Sequence, residues 1–113
     1  MKNYLICYYI LQQCMFETLE DDLTILLSKM SPELTDDGRP ADEKIYKRWK
    51  NTIDADTMSI DEITKAIAHR LELTAYDFKK TIKLLKSGDM EYYLYQAKER
   101  AEEFLSEYEI TEE

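Results

Sequence analysis

Glycine and proline are almost missing from this chain. Gly38, Gly88, Pro32 and Pro40 are all that 113 residues contain. Many-stranded sheets, tight hairpins and phosphate-cradling loops draw on these residues for their turns, so the shortage argues against the all-β classes. Cysteine is scarce too. Cys7 and Cys14 stand seven apart, and on one helix that spacing separates them by about 10 Å along the axis, too far for a disulfide. They read as buried, reduced thiols of a cytoplasmic protein. The single His69 cannot complete a thiolate-type zinc site with them. Long apolar runs are absent as well. The longest, Tyr4 to Leu11, is too short to span a bilayer. It is followed by Gln12 and Gln13 without a small-x-small cleavage pattern, so it is expected to be a core helix, not a signal peptide and not a membrane segment.

What remains is 44% hydrophobic and 35% charged, apolar enough to fold and too apolar for wholesale disorder. One domain over 1–113 is expected, with a main loop at 31–40, which holds both prolines, and a frayed acidic tail at 110–113. Apolar positions 4, 8, 11, 15, 19, 23, 26 and 30 step by three or four, the period of a helix face. Thr18 and Asp21 resemble a capping pattern, so the stretch is either one helix or breaks near Glu17 into two, roughly 3–16 and 19–30. A helix from Ala41 to Ile53 follows, entered from Pro40, with Ile45, Trp49 and Ile53 on one side. Ser59 and Glu62 form a capping box for a helix carrying Ile60, Ile63, Ile67 and Leu71. Thr74 and Asp77 look like the start of another, over 75–86, which Gly88 stops. Asp89 caps a last helix whose stripe runs Met90, Leu94, Ala97, Ala101, Phe104, Tyr108. The expected fold is all-α, a compact orthogonal or bundle-like packing of five to six helices.

The constellations that carry chemistry are incomplete. Asp54 to Glu62 begins like a calcium loop, but Met58, Ser59 and Lys65 occupy three positions where calcium needs an oxygen, a glycine and a bidentate acid. His69 and Glu72 share a helix face without the second pair that a di-metal bundle requires. Acidic clusters at Glu20, Asp21, Asp22 and at Glu99, Glu102, Glu103 fall beside apolar stripes, where a solvated face is the simpler reading than a catalytic pair. No metal, cofactor or catalytic residue is therefore assigned, and the chain is not read as an enzyme.

Charge and tyrosine point to binding. The net charge is −9, distributed as −6 over 1–43, +4 over 44–86 and −7 over 87–113, which favours a basic protein as partner over nucleic acid. Nine tyrosines are the compositional outlier. Tyr92 and Tyr95 point away from the last helix's stripe, among Glu91, Glu99, Glu102 and Glu103. Rigid amphipathic rings beside carboxylates suit the docking of a positive surface. An inhibitor or immunity-type protein masking a basic partner is the sharpest form of this expectation. The alternative is a helix-turn-helix DNA-binding regulator over 59–86, with Lys79, Lys80, Lys83 and Lys86 near phosphates. Against it, the turn has Glu72 where glycine is usual, and the second helix offers no Arg, Asn or Gln to read bases. A homodimer through the 90–108 helix is a third possibility.

Overall fold

A computed structural model describes residues 1–32, 40 and 42–108. Among them it is all-helical, with six helices packed compactly: α1 (Lys2–Thr18), α2 (Asp21–Met30), α3 (Glu43–Trp49), α4 (Ile60–Glu72), α5 (Lys79–Ser87) and α6 (Glu91–Glu107). Most of the expected 31–40 loop and the whole 110–113 tail lie outside the described residues.

Helix α1 owes its position to its lack of a polar face. Every residue from Tyr4 to Leu11 is buried, and a helix apolar all round is stable only when other elements enclose it. The other helices supply that shell, with α6 making the most extensive contact and α2, α3 and α5 completing it. Polar groups lock the seams. Gln13 donates to the carbonyls of Tyr9 (3.3 Å) and Tyr93 (3.0 Å), while Arg100 bonds Gln12 (2.8 Å) and lies over the Tyr9 ring. The Tyr4 hydroxyl donates to the Met30 carbonyl at 2.6 Å, satisfying an acceptor at the end of α2. The buried hydrophobic residues form one continuous core.

Local side-chain caps open two of the helices, α3 and α4. Asp42 accepts from Lys44 N–H and Ile45 N–H at the start of α3. Ser59 and Glu62 form the expected reciprocal box at α4, and Asp54 to Met58 is a turn feeding that cap. Asp89, expected as the cap of α6, lies one residue before the actual N-cap, Met90, which makes no side-chain cap bond; Asp89 accepts from Glu91 N–H at 3.3 Å from there.

Two other expected ends are set differently. Thr18 does not cap Asp21. Instead α1 closes on Leu19 in the left-handed region (φ 55°, ψ 29°), and Thr18 Oγ1 accepts from Glu20 N–H at 3.4 Å. Nor does Thr74 open α5. Its hydroxyl turns back to the Leu71 carbonyl at 2.9 Å, and the helix starts only at Lys79, after a connection through Phe78. Asp77 accepts from Lys79 N–H at 3.0 Å, and the remaining donors there are held from across the molecule. Glu20 accepts from Lys80 N–H (3.0 Å), Thr81 N–H (2.7 Å) and the Thr81 hydroxyl (2.5 Å), and Asp22 accepts from Asp77 N–H at 2.8 Å. Of the acidic cluster at 20–22, expected as a solvated face, Asp21 is exposed, while Glu20 and Asp22 form a clasp between the start of α2 and the start of α5. An ionised carboxylate is well suited to the positive end of a helix.

Candidate protein-binding face

A helix turns by about 100° per residue, which places Glu91, Glu102, Tyr95, Glu99, Tyr92 and Glu103 of α6 within an arc of about 120°. All six are exposed, Tyr92 and Tyr95 by 59% and 60%. Ala97, Ala101 and Phe104 fall about half a turn away on the same arithmetic and are buried. The centre of the 90–108 stripe is therefore packed into the core of the chain, and the structure offers no support for a homodimer through it. The acids and rings form a ridge on the outside.

Within the ridge, the Tyr95 hydroxyl donates to Glu99 at 3.1 Å. That bond and the charge of Glu99 raise the Tyr95 pKa above its ordinary value, because ionising the phenol would set two negative charges side by side. The hydroxyl end of the ring is thereby tethered to a carboxylate. Lys98 joins Asp89, Glu91, Tyr92, Leu94 and Tyr95 around a shallow depression on this surface.

The lysines of the alternative reading also come together. Lys79, Lys80, Lys83 and Lys86 are exposed and share an arc of about 120° on α5. Two of their neighbours oppose a duplex. Glu20 brings a carboxylate to the N-terminus of α5, where the recognition helix of a helix-turn-helix would meet phosphate, and Lys86 is paired with Glu72 at 2.7 Å. That pairing holds the Glu72 carboxyl below its usual range.

His69 and Glu72 lie on the border of a cleft of about 700 Å³ that also meets Asp61, Lys65, Lys86 and Asp89. Both are exposed. Among the described residues no nucleophile is hydrogen-bonded to His69, and no group of three His, Cys, Asp or Glu is placed to hold a metal ion. No helix among the described residues is long and apolar enough to cross a membrane. A second cleft, bordered by α2, α3 and the Leu73–Phe78 connection, gave no signal in the sequence, because its lining comes from three separated segments with no common period. Comparison with protein-family models, curated proteins and solved structures finds no match.

Proposed function

We propose that this chain is a protein-binding module, not an enzyme, whose α6 ridge docks a basic protein surface, with an inhibitor or immunity-type masking role as its most specific form. One observation carries the reading: six residues separated in sequence share one exposed arc, with the core on the opposite side. The four glutamates raise the encounter rate with a positive partner through long-range attraction, while Tyr92 and Tyr95 provide rigid contact area at low conformational cost. The two buried thiols fit a reducing compartment, and we place the protein in the cytoplasm on that ground.

The test is affinity capture from the source cells, followed by kinetics on the captured protein. A basic partner is expected. Neutralising Glu91, Glu99, Glu102 and Glu103 together to Gln should lower its association rate by about 10-fold or more at low salt and flatten the salt dependence. Replacing Tyr92 and Tyr95 by Ala should act mainly on the dissociation rate. An association rate that ignores both salt and the four substitutions would overturn the electrostatic basis. A low-salt duplex shift that disappears when Lys79, Lys80 and Lys83 become Ala would transfer the function to DNA binding.

A further inference from the structure

Acidic residues outnumber basic ones 24 to 15 in this chain, yet one cleft reverses the sign. It measures about 450 Å³, and among the described residues its charged lining is Lys29, Arg48 and Arg70, with no acidic one. The three cations come from three helices, α2, α3 and α4. Among the described residues none of them is paired with a carboxylate. Lys29 Nζ sits 6.0 Å from the centroid of the Tyr76 ring, at the outer range of a cation–π contact.

The remaining lining is apolar. Trp49 and Phe78, both buried, line the cleft from the core side. Ile25, Leu73 and Tyr76 rim it while exposed, the latter two by 65% and 50%. Large side chains kept in water beside a cleft mark a binding surface, since nothing in the fold itself rewards their exposure.

We propose that this cleft binds an acidic amphipathic segment of another protein, one that inserts apolar side chains between Leu73, Tyr76 and Ile25 and sets carboxylates against Arg48, Arg70 and Lys29. Two features select that chemistry. Guanidinium groups bind carboxylates in a bidentate fork, and three cations on three elements exceed what one small carboxylate engages. An apolar strip flanked by charge of one sign is the arrangement that receives an amphipathic helix. The molecule as a whole, at −9, repels such a segment at long range, so recognition rests on contact inside the cleft and not on steering. This surface is independent of the α6 ridge and opposite to it in preference.

Trp49 is the only tryptophan and lines the cleft, so its fluorescence in the full chain reports occupancy. The probes are three tryptophan-free synthetic peptides with Leu and Phe at helical spacing and Glu, Gln or Lys at the remaining positions, together with octanoate. The Glu peptide should change Trp49 emission saturably. The Gln peptide, and the Glu peptide against R48Q/R70Q, should bind about 10-fold more weakly or worse. L73E, on an exposed rim residue, should weaken the Glu peptide similarly without reducing the thermal midpoint, and E99Q/E102Q on α6 should leave it unchanged. The proposal is overturned if no saturable change occurs, if the Lys peptide binds as well as the Glu peptide, or if octanoate binds as tightly as the Glu peptide and shows the same arginine dependence.

Discussion

At the scale of single residues, the clearest local cost is Leu19. It closes α1 in a left-handed conformation that crowds Cβ against the backbone, at about 1–2 kcal/mol for a residue other than glycine. Its side chain is 74% exposed, so little burial offsets that cost. Leu19→Gly should raise stability by about 0.5–1 kcal/mol after glycine's extra unfolded-state entropy is deducted. Urea denaturation should show a higher midpoint at unchanged slope; a lower midpoint would mean that Leu19 has a contact worth more than the strain. The ridge has its own residue-scale check. The Tyr95 pKa is raised by its bond to Glu99 and by the charge of Glu99, so removing that charge in Glu99→Gln should bring Tyr95 ionisation to lower pH. NMR titration of labelled tyrosine reads this directly, and an unmoved midpoint would show that the pair does not form in solution.

At the scale of elements, the clasp between α2 and α5 is the contact most removed from local sequence rules. Glu20 serves three donors, and Thr81 is fully buried beside it. Glu20→Ala strands those donors and should cost about 2 kcal/mol. Thr81→Val should cost less. Because both act on one hydrogen-bonded cluster, the double variant should fall short of the sum by about 1 kcal/mol; strict additivity would deny that the two residues cooperate. The same clasp explains where reading the sequence succeeded and failed. Helices α4 and α6 were legible because their signals are local: a Ser59–Glu62 box, and apolar steps of three and four that run from Met90 to Tyr108. The start of α5 was not. Asp77 does accept from Lys79 N–H, but Thr74 turns back to Leu71, and the next two donors, Lys80 and Thr81 N–H, are met by a carboxylate about 60 positions earlier, so no window of sequence holds both partners. The candidate sites divide in the same way. The ridge lies on one helix and follows from 100° arithmetic, while the basic cleft exists only after α2, α3 and the end of α4 have been packed together.

At the scale of the whole molecule, charge is sorted and not merely abundant: acids line the outside of α6, lysines line α5, and cations surround the second cleft. Block charges of −7 and +4 hinted at this segregation, but its layout depends on a core helix, α1, that holds the other elements in register. The two cysteines make that dependence measurable. Burial raises the Cys7 pKa far out of its usual range, with Arg70 only partly opposing it, and burial, reinforced by the charge of Glu17, pushes Cys14 up to about 12. Since the thiolate is the reactive form, neither thiol should label appreciably in the native state near neutral pH. Both lie on α1, which contacts α2, α3, α5 and α6, so exposing either requires the shell to separate. Labelling of the unmodified protein, followed by mass spectrometry of each cysteine peptide, should give the two sites the same opening free energy, equal to that of global unfolding and with the same urea dependence. Faster labelling at Cys14 than at Cys7 would show instead that the end of α1 opens with the Leu19 turn, and that α2 and its clasp on α5 form a separately unfolding unit.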